Sequence, residues 1–229
     1  MWLCNSSIGR KVVMSITGIA LVLFLTFHAC MNVVALFSEE GYNMICEFLG
    51  ANWYAVVATA GLAALVVIHF VYAFILTIQN RKARGDNRYD VVVKPEKVEW
   101  ASQNMLVLGI IVVLGLLLHL FNFWYNMMFA ELAGTATQFA PTDGFAYIKE
   151  TFSNPVFVVL YIIWLAALWF HLTHGIWSGI QTFGWSGHIW FSRWRAVSNI
   201  YATVLVALFL IVVLAFWLCP DCVGGQCCM

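Results

Sequence analysis

The chain is short of charge. Only 10% of its 229 residues are Asp, Glu, Lys or Arg, where an ordinary water-soluble domain carries about a quarter. So few charges cannot cover a surface in water, which excludes a soluble globular protein and makes lipid the main solvent. The net charge is zero, so no excess of basic residues points to nucleic acid. Proline is scarce as well. Of the four prolines, only Pro155 touches a hydrophobic run, at its start. The period-2 alternation of a barrel strand is missing throughout. A cleavable signal peptide is not expected either. Arg10 and Lys11 precede an apolar run of roughly 25 residues, longer than the about 7–15 of a signal core, and no small-residue cleavage site follows.

Apolar side chains make up 63% of the sequence. They gather in five runs, at about 11–37, 53–80, 100–128, 155–183 and 196–219, each long enough for the ~20 residues of a membrane crossing. The expected fold is a single all-α domain of five transmembrane helices. The connections differ. Ser38 to Asn52 carries Glu39, Glu40 and Glu47, Arg81 to Glu99 is rich in charge, Ala130 to Asn154 is a longer polar loop, and Gly184 to Arg195 is short. Ten of the eleven Lys and Arg residues fall at the N-terminus, in the second connection or in the fourth. They are Arg10, Lys11, Arg81, Lys82, Arg84, Arg88, Lys94, Lys97, Arg193 and Arg195, with only Lys149 elsewhere. Cytoplasmic loops collect such residues, so the N-terminus is expected inside and the C-terminus outside. Trp53, Tyr54, Trp100, Trp124, Tyr125, Trp185 and Trp217 stand near run ends, as interfacial belts do. Seven cysteines occur, four of them (Cys219, Cys222, Cys227 and Cys228) in the tail CPDCVGGQCC. That tail reads as incidental thiols, with disulfides or zinc as the other readings.

Six histidines are present, and five of them lie inside these runs: His28, His69, His119, His171 and His174. Ionisable groups within a membrane are costly and mark function. One such histidine is readily a helix–helix hydrogen bond, but four consecutive helices each carrying one is harder to dismiss. His28 and His119 each lie about 9 residues from the outer end of their runs, roughly 13 Å deep. His69 and His171 lie about 11 and 12 residues from the inner end, roughly 17 Å deep. The depths give one pair toward each side of the bilayer. Facing imidazoles of this kind suit a six-coordinate b-type haem, and two stacked haems make an electron path across the membrane. His174, three residues after His171, shares its helix face and is an alternative ligand or a neighbour of a propionate or quinone. His188 reads as a loop residue. Gly18, Gly61, Gly109, Gly115, Gly175 and Gly179 fit close packing around a macrocycle or between helices alike. Arg10, Lys11, Arg81, Lys82 and Arg193 fit propionates or lipid headgroups alike.

These features resemble the single-chain cytochrome b subunit of the di-haem succinate dehydrogenases and menaquinol-fumarate reductases. The resemblance covers nearly the whole chain, through SIGRKVVMSITGIALVLFLTFHACMN, VIHFVYAFIL, LGLLLHLFNFW and WFHLTHGIWSGIQTFGW. The last is the most specific, with His171, Gly175, Trp177 and Ser178. The resemblance implies two haem b groups, one distal on His28 and His119, the other proximal on His69 and His171. It implies a quinone substrate, a menaquinone by the same likeness, and a place in a bacterial cytoplasmic membrane. It also implies a flavoprotein partner that interconverts succinate and fumarate and an iron–sulfur partner, and it allows a dimer of heterotrimers. The chain itself has neither a dinucleotide-binding glycine motif nor a ferredoxin-like cysteine run. Its basic inner face, set against Asp86, Asp90, Glu96 and Glu99, suits docking of such partners or lipid alike. In relatives an acidic residue near the outer ends of spans one and two serves quinol proton transfer. Glu47 is the candidate here, with Glu39 and Glu40 behind it and a solvated loop carboxylate as the plain alternative.

Other classes fit less well. A bc-type cytochrome b carries two histidines on each of two helices, and the hydrogenase and formate dehydrogenase b-type anchors have four spans. A haem-free transporter usually breaks its helices near the midplane. A bare anchor does not require four histidines paired by depth.

Overall fold

The computed structural model describes residues 6–84, 100–187 and 189–225. Every regular element among them is helical. In chain order they are α1 (Ser7–Val34), α2 (Glu39–Phe48), α3 (Trp53–Arg84), α4 (Trp100–Gln103), α5 (Met105–His119), a π-helical stretch (Leu120–Phe129), α6 (Ala130–Ala133), α7 (Gly144–Ser153), α8 (Pro155–Thr182) and α9 (Trp190–Leu218). Lipid offers no partner for a backbone N–H or C=O, so segments that live in it close their hydrogen bonds internally as helices. Five helices are long and apolar enough to cross a membrane: α1, α3, the continuous rod Met105–Ala133, α8 and α9. Their number and apolarity give the chain the architecture of a multi-pass membrane protein.

Side chains at the helix starts take up the free N–H groups. Ser6 Oγ accepts from Gly9 N at 2.9 Å, Ser38 Oγ from Gly41 N at 2.9 Å, and Asp143 Oδ1 from Ala146 N at 3.1 Å. Asn154 Oδ1 accepts from Val156 N at 2.9 Å, with Pro155 at the first helical position, where its missing N–H costs nothing.

Two connections expected to be loops hold helices. The Ser38–Asn52 stretch contains α2, and the Ala130–Asn154 stretch contains α7. Each is amphipathic. α2 buries Tyr42, and α7 buries Phe145, Tyr147, Ile148 and Phe152. Asn43 locks them together: Nδ2 donates to Asp143 Oδ1 at 2.8 Å, and Oδ1 accepts from Phe145 N at 2.9 Å. Together they close one end of the bundle, called the cap end here. The tail after α9 folds over the same end. Val223 is buried, Gly224 N reaches Ala35 O at 3.1 Å, and Glu39 N reaches Gly224 O at 3.2 Å. The fourth connection is shorter than expected, because α9 begins at Trp190 and takes in Arg193 and Arg195. Arg193 lies 5.2 Å over the Trp190 ring, an arrangement suited to the membrane–water boundary.

The core lies among α7, α8 and α9, around Phe145, Val158, Leu165 and Phe216. α3 stands apart. It leans on α1 and barely meets α5, and its most apolar stretch contributes no buried residue. Arg84 begins the end of what can be described of the basic connection: its side chain, the whole of 85–99 with Arg88, Lys94, Lys97, Asp86, Asp90, Glu96 and Glu99, and also His188, Cys4, Cys227 and Cys228 lie outside the described residues. In the tail Cys222 is disulfide-bonded, while Cys219 is a free, exposed thiol.

Cys46 of α2 packs under Gly144, so closely that a Cβ there would stand 2.3 Å from its sulfur. Burial pushes the Cys46 thiol up from 9.0 to about 11. The folded cap therefore favours the protonated thiol, and that contribution is full below pH 9.0 and fades as pH rises through about 11. A maleimide is expected to label Cys219 near neutral pH and to spare Cys46 until the solution is strongly alkaline. Equal labelling of the two near neutrality would show that α2 and α7 are not packed together.

Candidate functional site

The space behind α3 is a cavity of about 1580 Å³, bordered by α1, α3, α5, α8 and α9. A single small-molecule site occupies about 300–1,000 Å³, so this cavity has room for more than one group of that size. Its walls are mostly aliphatic and aromatic, and five imidazoles border it, His174 together with four that stand in pairs: His28, His69, His119 and His171. Each of these four comes from a different long helix.

The rings stand in two pairs. His28 and His119 have ring centroids 5.7 Å apart and planes at 84°. His69 and His171 have centroids 6.4 Å apart and planes at 62°. A metal–imidazole bond is ~2 Å, so two imidazoles that share one ion hold their ring centres roughly 6 Å apart. The angle between the planes is free, because each ring can turn about its own metal bond. Among the described residues no group of three or more His, Cys, Asp or Glu side chains is arranged so that it could hold a metal ion by itself. Each pair can thus grip an ion from two sides, but the remaining ligands must arrive with the ion.

The two pairs have different surroundings. At the cap-end pair, Phe24 stacks on His28 at 5.5 Å. Phe123, Trp164 and Tyr161 surround His119 at 5.1, 5.7 and 6.4 Å. Asn32, one turn after His28, donates from Nδ2 to the His28 carbonyl at 2.8 Å. The same Nδ2 also lies 3.3 Å from His28 Nε2, a longer and weaker contact than the first. Tyr42 of α2 donates to Asn32 Oδ1 at 3.2 Å, so the cap reaches His28 through two side chains. At the other pair, Thr17 of α1 stands 3.0 Å from His69 Nδ1. His171 Nδ1 is buried without a hydrogen-bond partner.

His119 is the last residue of α5, and the π-helical stretch begins at the next position. Wide turns of this kind recur at functional sites. Here the wide turn carries Asn122 into the interior, 8% exposed, where its Nδ2 donates to Tyr161 Oη at 3.3 Å. Nothing in LFNFWYNMMF announces it.

The remaining candidates are placed as follows. His174 borders the cavity, its ring 5.1 Å from Trp177. Glu47 is exposed and does not border the cavity. With Glu39 and Glu40 it edges a shallow depression on the surface of the cap. Arg10 and Lys11 in α1, Arg81 and Lys82 in α3, and Arg193 in α9 all stand at the end opposite the cap. Of the glycines, Gly61 and Gly175 border the cavity with open space where a Cβ would go, whereas Gly18 lies against His69. The sequence reading passed over Thr17, Asn32, Tyr42 and Trp164. Asn32 carried one usable signal, a second amide-bearing residue one helical turn from a buried histidine.

No protein-family model, curated protein or solved structure matches the chain.

Gly115 carries a further constraint on His119. A Cβ there would lie 2.0 Å from Trp164 Cδ1, and Trp164 Nε1 donates to Val112 O at 3.0 Å. The pyrrole side of the indole therefore lies directly against the backbone one turn before His119. Gly115→Ala is expected to push Trp164 away and to lower stability by roughly 1–3 kcal/mol, the usual cost of overpacking. Thermal unfolding in detergent reads this directly. A variant as stable as the parent would mean that Trp164 does not pack there.

Proposed function

We propose that the chain is a di-haem b membrane anchor of a succinate:quinone oxidoreductase, passing electrons between a membrane quinone and an iron–sulfur partner. The observation that carries the electron-transfer part is the pair of imidazole pairs around one large apolar cavity. Two imidazoles leave four positions of a six-coordinate metal such as iron unfilled. The missing ligands have to be brought in by a large, apolar, metal-bearing group, and a haem is such a group. A haem iron held between two imidazoles carries single electrons and leaves no position open for oxygen.

The chain's own residues do the holding. His28 and His119 would hold one haem near the cap, and His69 and His171 would hold the other. Phe24, Phe123, Tyr161 and Trp164 wall off the first pair and keep water from it. The basic residues opposite the cap, Arg10, Lys11, Arg81, Lys82 and Arg193, lie where haem carboxylates or lipid headgroups meet positive charge. By the positive-inside rule that end faces the cytoplasm and is where a flavoprotein and an iron–sulfur partner dock. The choice of succinate and fumarate chemistry, of menaquinone and of a bacterial cytoplasmic membrane rests on the sequence resemblance alone. A proton-transfer role for Glu47 draws no support from its exposed position outside the cavity.

A dithionite-reduced minus oxidised spectrum, with a pyridine haemochrome count, tests the reading. Two b haems per chain are expected, falling to one in His28→Ala or His119→Ala and likewise to one in His69→Ala or His171→Ala. A single haem in the parent would break the four-ligand assignment. A well-folded preparation with no haem would replace electron transfer by a transport or purely anchoring role.

A further inference from the structure

We propose that Thr17 is the positioning residue for His69: its hydroxyl oxygen takes the Nδ1 hydrogen of the ring and leaves Nε2 as the metal-binding nitrogen. The inference rests on the di-haem reading and adds to it a difference between the two ligands of one pair.

Thr17 lies in α1 and is 4% exposed. Its Oγ1 stands 3.0 Å from His69 Nδ1. A hydroxyl has one hydrogen and two lone pairs. The hydrogen of Thr17 is already committed along its own helix, to Val13 O at 2.9 Å and Met14 O at 3.0 Å, as threonines in helices commonly do. What Oγ1 presents to His69 is therefore a lone pair, and the hydrogen between them belongs to Nδ1, toward which the Met14 backbone of the same helix also turns an acceptor. Neutral imidazole carries a single N–H, so Nε2 keeps the lone pair that a metal needs. The ring is also seated on α1. A Cβ at Gly18 would lie 3.2 Å from His69 Cε1, closer than a side chain is comfortably held.

The partner ring has no such support. His171 Nδ1 is buried and makes no hydrogen bond among the described residues. A hydrogen-bond acceptor on the far nitrogen of a metal-bound imidazole fixes its orientation and raises its basicity. His69 is thus the more electron-rich ligand of the two. Electron donation favours ferric over ferrous iron and lowers the potential of that haem.

The test uses the full chain in its complex, with the haem of this pair identified as the one lost in His171→Ala. Thr17→Val keeps the shape and removes the lone pairs, while Thr17→Ser keeps them. In redox titration, Thr17→Val is expected to move the midpoint of this haem upward and leave the other haem unmoved, with Thr17→Ser restoring the parent value. Removal of an outer hydrogen-bond partner typically weakens metal binding ~10–100-fold, so Thr17→Val is also expected to lose this haem first on dilution. If Thr17→Val retains both haems with unmoved midpoints, the inference is overturned. If Thr17→Val loses the haem and Thr17→Ser does too, Thr17 serves packing and the inference is again overturned. A parent protein with no b haem would bring down the di-haem reading beneath it. A parent with two haems and an insensitive Thr17→Val would remove this inference alone.

Discussion

Four imidazoles held inside an apolar bundle set the terms for everything around them. In water, a void lined by aliphatic side chains closes because apolar surface is driven together. In lipid that drive is absent, since hydrocarbon tails are as apolar as leucine. The walls of the cavity behind α3 are thus not drawn together by a solvent-driven collapse, and α3 leans mainly on α1 with a slight contact to α5. What fixes its shape is packing elsewhere, in the core among α7, α8 and α9, and the local contacts that aim each ring.

Those contacts divide the bundle into two unlike halves. Toward the cap, aromatic rings crowd His119, and the Tyr42–Asn32 pair ties α2 to the helix of His28. The fit depends on a glycine, because Trp164 lies where any larger residue at 115 would be. Away from the cap, His69 rests on the backbone of α1 at Gly18, with polar contact from the Thr17 hydroxyl and the Met14 backbone of the same helix. The same residue type stands in two settings, one built from rings and amides and the other from a threonine and a helix backbone.

Much of this was legible in the sequence because a helix has a fixed rise. Counting residues from the run ends put His28 level with His119 and His69 level with His171, and the structure sets each of these pairs ring against ring. Apolar length alone was enough to mark five crossings. The cap was not legible. α2 and α7 are ten-residue helices with enough polar residues to read as loop, and the burial of Tyr42 and Phe145 comes from partners in other helices, Asn32 for the one and Phe216 for the other. The π-helical stretch after His119 was equally hidden, since the contacts of Asn122 and Phe123 with Tyr161 join positions almost forty residues apart. Thr17 escaped because threonine is ordinary in a membrane helix. Its meaning comes from a ring carried 52 positions later.

The tail deserves a last consequence. Gly224 bonds to Ala35, Leu36 and Glu39, so the segment that fastens the cap meets partners made almost two hundred residues before it. Contacts this distant along the chain form late. During synthesis the five crossings and all four histidines can be in place while the cap still lies unlatched. That leaves an interval in which α2 and α7 pack without the strap that later holds them, before Val223 settles into the cap.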